Sequence, residues 1–300
     1  MRSESDIVSR RLLLQGAAGL TLLAACGAAP AGATPATKIT LTTAGGRSVD
    51  VWRWAPVGRR KGVIAFSHGA ASAPWKYERL LGPWADAGYE ILAPLHVDST
   101  DHPHTRDFAG LASWKARIED MQAVSQAIPA ARFIAAGHSY GGLTALTMGG
   151  AQAMMPEGVT GTQRQPRVAA VVAFSPPGIT PPLIDPAGYA KLAVPAFIQT
   201  GDRDVPQGST DPAGWRGHLA AYDAASSGGD RYALVLGGVD HYFGGLICRE
   251  IDGVRQTAQL ATAIHLSTLF MNGFLGRDAR SRRTLDGCLA AAGPVQLTRK

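Results

Sequence analysis

Val168-Ala-Ala-Val-Val-Ala-Phe174 is an unbroken apolar run with no polar position left to face solvent. At that length it suits a strand covered on both faces, the setting of a central strand in a parallel sheet. Gly62–Ser67, Tyr89–Pro94, Phe133–Ala136, Ala196–Thr200 and Tyr232–Leu236 read in the same way. Between them lie stretches with helical spacing: Tyr77–Ala87, Trp114–Ile128, a segment at Leu143–Met148, Trp215–Ala225 and Gln256–Phe274. Strands alternating with helices define an α/β domain with a mostly parallel central sheet and helices on both faces. Lys38–Thr43 and Ser48–Trp54, joined by Ala44-Gly45-Gly46-Arg47, add an antiparallel N-terminal hairpin. Tyr232–Leu236 is expected to be the last strand. The stretch 175–195 is too short for a large cap domain.

The chain has 300 residues, 46% of them hydrophobic and 17% charged, enough to bury a large core and inconsistent with a disordered chain. Its net charge of +6 is spread without a basic run or aromatic-basic interleaving, so nucleic acid is not an expected partner. No apolar run reaches the ~20 residues of a membrane span.

Ligands of an open α/β sheet bind at the carboxyl ends of its strands. Three strand ends here carry Ser139, Asp204 and His241, in that order. Gly137-His138-Ser139-Tyr140-Gly141 fits G-x-S-x-G, in which the chain turns from strand to helix around a strained serine and the glycines relieve crowding. A serine hydroxyl needs a base, and His241 follows the last expected strand on a glycine-rich loop. The imidazole needs an acid to fix its tautomer. Asp204 is the candidate, with Asp202 second, and Asp240 points elsewhere if His241 faces the site. A tetrahedral oxyanion needs donors: the amide of Tyr140, and one from the loop after Ser67-His68-Gly69, for which Ala70 is chosen and Ala71 is second. His68 reads as a loop organiser. Trp75 and Tyr140 are candidates for an aromatic substrate-binding wall.

These features resemble the α/β-hydrolase superfamily over nearly the whole chain from Lys38 onward. Ser67-His68-Gly69, Pro94-Leu95-His96 and Arg117-Ile118-Glu119-Asp120 look like the dienelactone-hydrolase and platelet-activating-factor-acetylhydrolase-like branch. Dienelactone hydrolases use a cysteine nucleophile, so Ser139 favours general carboxylic-ester hydrolysis over lactone specificity. The resemblance implies a serine esterase working through an acyl-enzyme, without cofactor or metal, on small-molecule, lipid or polymer esters.

Arg10-Arg11 precedes an apolar run from Leu12 to Ala25, of export-signal length, ending in Leu23-Ala24-Ala25-Cys26. The pair resembles a twin-arginine (Tat) signal and the run's end a bacterial lipobox. Residues 1–25 are therefore expected to be a signal peptide, Cys26 the lipidated membrane anchor, 26–37 a flexible linker, and 38–300 a single domain held at the periplasmic or cell-surface membrane. Export leaves Cys248 and Cys288 in an oxidising compartment, where they are expected to form a disulfide.

Two alternatives stand beside the esterase. His96-Val97-Asp98-Ser99-Thr100-Asp101-His102-Pro103-His104 concentrates possible metal ligands, as in a metal-binding lipoprotein or metallohydrolase. A non-catalytic binding protein could also occupy a hydrolase scaffold.

Overall fold

The apolar runs pair edge to edge, and their polar neighbours become the turns. The computed structural model describes residues 35–300 other than 158, 160, 207 and 229, so the expected signal peptide and Cys26 lie outside the described residues. In chain order the strands are β1 (Thr37–Thr42), β2 (Ser48–Trp54), β3 (Gly62–Ser67), β4 (Tyr89–Pro94), β5 (Phe133–His138), β6 (Val168–Phe174), β7 (Ala196–Gly201), β8 (Arg231–Leu236) and β9 (Val295–Arg299). The helices are α1 (Glu78–Asp86), α2 (Leu111–Ala127), α3 (Tyr140–Met148), α4 (Pro186–Tyr189), α5 (Ala220–Ala224), α6 (Thr257–Phe274) and α7 (Ala279–Asp286). The nine strands form one sheet in the order β1-β2-β4-β3-β5-β6-β7-β8-β9. From β4 through β3 to β8 neighbours run parallel, and β1, β2 and β9 are antiparallel to their neighbours.

Side-chain alternation divides each central strand between two cores. Ile64, Phe66, Ala170, Val172 and Phe174 pack with α1 and α6, where Trp84, Phe270 and Met271 are fully buried. Val63, Ala65, Val171 and Ala173 pack on the other face with α2 and α3 through Trp114, Met121 and Leu146. Both faces of the sheet are thus covered, which is why these strands carry no polar alternation.

Two expectations need correction here. Tyr232–Leu236 is not the last strand: β9 adds antiparallel to β8, with Leu297 opposite Leu234. Only Leu297 of β9 is fully buried, too little apolar signal to mark an edge strand. The expected helix at Trp215–Ala225 is a 3-10 turn, Gly214–Leu219, followed by the short α5.

The disulfide is also absent: Cys248 and Cys288 are free thiols. Gln256, at the start of α6, bonds Asp240 beside His241, at the carboxyl end of the sheet. Asn272, near the end of α6, accepts from the Tyr89 hydroxyl, at the amino end of β4. An 18-residue helix covers about 27 Å. Cys248 precedes that traverse and Cys288 follows it. Cys248 donates its N–H to the Lys76 carbonyl, in the segment between β3 and α1, while the Cys288 thiol donates to the carbonyl of Thr284 in α7. A disulfide requires Cα atoms within about 7 Å.

Candidate active site

Ser139 sits between β5 and α3 at φ 54° and ψ −124°, a conformation strained for a residue with a side chain. A β-carbon on Gly137 would overlap the carbonyl of Gly141, and one on Gly141 would overlap the carbonyl of Ser67. The glycines therefore let β5, α3 and the end of β3 meet closely enough for the turn. The Ser139 N–H donates to Phe174 at 2.8 Å, tying the turn to β6.

Asp204 follows β7 and is buried. Its Oδ2 accepts from Thr200 Oγ1 at 2.9 Å, and its Oδ1 accepts from His241 Nδ1 at 2.7 Å. Although burial would raise it, the hydrogen bonds from His218 and His241 hold the Asp204 carboxyl far below the usual carboxylate range. Because Nδ1 of His241 donates, Nε2 is the nitrogen left to accept a proton. Burial pushes the His241 ring below the usual histidine range, against the pull of Asp204. Ser139, His241 and Ala70 line one cavity of about 1260 Å³.

Sequence reasoning missed His218, which also faces Asp204 and lies in the same cavity wall. It stands on the 3-10 turn before α5, and no local motif marks it. It also missed what holds the loop after β3. Arg117 of α2 is fully buried and spends all its donors: Nε and Nη2 on the Asp98 carboxylate at 2.8 Å each, Nη2 on the Gly69 carbonyl at 3.1 Å, and Nη1 on the His68 carbonyl and Ser67 Oγ at 2.6 and 3.1 Å. His68 Nδ1 donates to the same Gly69 carbonyl at 2.7 Å, and its Nε2 accepts from the His96 N–H at 3.0 Å. Burial keeps that ring neutral, pushed down to about 3. In a trans peptide the N–H points opposite the carbonyl. With the Gly69 carbonyl held toward Arg117, the Ala70 N–H is turned the other way. Among the described residues, neither the Ala70 nor the Tyr140 main-chain N–H has a protein acceptor.

The cavity wall is not built from the two expected aromatic rings. Trp75 packs against Trp52 with the rings tilted 51° and their centroids 4.8 Å apart. Tyr140 turns its ring under the Arg117 guanidinium, 4.7 Å away, and against Trp114. Neither ring lines the cavity, whose apolar wall comes from Pro177, Ile179, Val205, Pro206, Tyr242 and Ile251. The histidines of the 96–104 loop also fail to converge. His96 is fully buried between Asp120 Oδ2 and Ser67 Oγ, each 2.8 Å away, while His102 Nδ1 accepts the N–H of His104. Among the described residues, the side chains close enough to share a metal ion are instead Asp204, His218 and His241.

The sheet order, the serine turn and the strand-end residues define the α/β-hydrolase fold, and solved structures agree. Thermogutta terrifontis esterase 2 phosphoramylated by tabun superposes with a TM-score of 0.58 at 15% identity, over 82% of this chain and 98% of that one. The esterase domain from a Rhodothermus marinus protein gives 0.53 at 13% identity, over 81% and 100%. A Mycobacterium tuberculosis puromycin-hydrolyzing peptidase gives 0.54 at 15% identity over 81% of this chain, which spans only 40% of that protein's length. No protein-family model matches the chain, and no curated protein matches its sequence.

Proposed function

We propose that the protein is a serine hydrolase of carboxylic esters. Ser139 is the nucleophile, His241 the general base and then acid, and Asp204 the group that fixes the His241 tautomer. The amides of Tyr140 and Ala70 receive the oxyanion. The observation that carries this reading is the strained Ser139 turn opening on the same cavity as a histidine locked through Nδ1 to a buried carboxylate.

In the first half-reaction Ser139 Oγ attacks the ester carbonyl as His241 Nε2 takes the hydroxyl proton. The tetrahedral oxyanion sits against N–H groups that have no other acceptor, so their dipoles need no reorganisation. The imidazolium, steadied by Asp204, returns its proton to the leaving alkoxide. Water then attacks the acyl-enzyme with His241 as base again, and Ser139 leaves with the proton. Ser139→Ala should lower kcat on p-nitrophenyl butyrate by on the order of 10⁴–10⁶. A fluorophosphonate probe should label the wild-type chain on the peptide carrying Ser139. Labelling elsewhere, or a variant retaining a tenth of the rate, overturns the assignment. The anilide of the same acyl group should be hydrolysed far more slowly than the ester.

The N-terminal motifs support a second proposal, that the protein is exported and anchored through a lipid on Cys26. One acyl chain gives marginal membrane binding and two or more give lasting attachment. Cys26→Ser should move the protein from the membrane to the soluble fraction of its native cell with activity on a soluble ester unchanged. Wild-type protein found wholly soluble refutes the anchor.

A further inference from the structure

His218 has oxygens that can only accept on both sides of its ring. Nδ1 lies 2.7 Å from the Pro176 carbonyl. Nε2 lies 3.0 Å from the Asp204 carbonyl and 3.1 Å from Asp204 Oδ1. Neither a carbonyl nor a carboxylate has a proton to give, so each ring nitrogen must carry its own. A neutral imidazole has one N–H. In its neutral form this buried ring would aim a lone pair at an oxygen lone pair, a repulsion that low local dielectric strengthens.

We infer that His218 is a standing imidazolium that pairs with Asp204 and lowers the proton affinity of His241, a positioning residue for the acid–base step. This rests on the hydrolase reading of the site above. Asp204 thereby lies between two imidazoles, accepting the Nδ1–H of His241 on the oxygen that His218 also faces. The ring centroids of His218 and His241 are 5.6 Å apart, so protonating His241 would bring a second cation close to the first. His241 must lose its proton to work, and a fixed neighbouring cation makes that loss easier.

The other charged groups do not supply this effect. His138, at the end of β5, lies 4.7 Å from the His241 ring, but burial pushes it down to about 4 and leaves it neutral. Tyr242 meets the His241 ring edge-on and burial raises its phenol, so it too is uncharged. Arg216 on the same turn, Asp223 on α5 and Arg249 over Tyr242 are all exposed in the cavity wall, where solvent screens them. Asp240, next to His241, is occupied by Gln256 and the N–H groups of Tyr242 and Gly244. The directions agree with a charged His218: burial would lower its pKa, yet the Asp204 carboxylate raises it above the usual histidine value.

The test is imidazole nitrogen NMR on the full chain across pH 5–9, together with the kcat/KM profile on p-nitrophenyl butyrate. In the wild type, His218 should show two ring N–H groups with imidazolium shifts at pH 7. His218→Asn can still donate an N–H to Asp204 but carries no charge. It should raise the titration midpoint of His241 by about one pH unit and move the acid limb of kcat/KM upward by the same amount. A neutral His218 at pH 7, or a fall in rate with the His241 midpoint unmoved, overturns the inference. If the variant does not fold, the wild-type spectrum alone decides the charge. If no ester is hydrolysed while the His241 midpoint still moves, the hydrolase reading fails and the electrostatic coupling stands.

Discussion

Asp202 and Asp204 are two residues apart on one loop, yet their carboxylates meet different surroundings. Asp202 Oδ1 accepts the Gly238 N–H at 2.7 Å in an exposed turn. Asp204 is buried among Thr200, His218 and His241. Asp204→Asn should cut kcat on p-nitrophenyl butyrate by on the order of 10⁴, because the amide stabilises the wrong His241 tautomer. Asp202→Asn should change it by less than roughly threefold, as surface substitutions do, and the reverse pattern would exchange their roles. Ser139, Asp204 and His241 could be picked out because each follows an apolar strand and is announced by glycine. His218 could not: two of its oxygen neighbours are main-chain carbonyls, which leave no side-chain pattern to read. Trp75 was misjudged because nearness in sequence to the loop after β3 does not say that its ring turns instead to Trp52.

Among the elements, the central strands were legible because burial on both faces leaves continuous apolar runs, and β9 was not because an edge strand buries so little. Ser67, His68, Arg117 and Asp120 were conspicuous as sequence fragments. Their assembly into one buried cluster depends on β3, β4 and α2 meeting, which no single segment encodes. The cysteine pairing failed for a related reason: parity gives a number of thiols, while α6 sets where they end up. Reductant should therefore shift the melting temperature of the protein by less than about 1 °C, against the several degrees expected for losing a bridge worth 2–4 kcal/mol. Peptide mass spectrometry without reduction should find Cys248 and Cys288 unlinked.

At the scale of the whole molecule, the carboxyl ends of β3, β5, β7 and β8 open on one side of the sheet, and the cavity there is larger than the 300–1,000 Å³ usual for small ligands. Pro177, Pro206, Ile179, Val205 and Ile251 give that wall an apolar stretch. A p-nitrophenyl ester series from acetate to palmitate should therefore give a kcat/KM for butyrate and octanoate at least equal to that for acetate. A steep fall beyond acetate would mean that the acyl chain does not enter this cavity.

The buried hydrogen bonds beside Ser139 have a fixed polarity. The Gly69 N–H donates to the Tyr77 oxygen at 2.9 Å, leaving the phenol proton for His138 Nδ1, also 2.9 Å away. His138 Nε2 then has its own proton to give to the His241 carbonyl at 2.9 Å. Every donor has one acceptor and the sequence cannot run backwards, because a peptide N–H stands at one end and a carbonyl at the other. The loop carrying Ala70, the strand leading into Ser139 and the backbone of His241 are thus indexed to one another like parts cut to a common gauge. Tyr77→Phe keeps the ring and its packing but removes both links at once. It should lower kcat by roughly tenfold to a hundredfold with little change in KM, the signature of parts that still bind substrate but no longer meet it in register. An unchanged kcat would show that packing alone keeps the alignment.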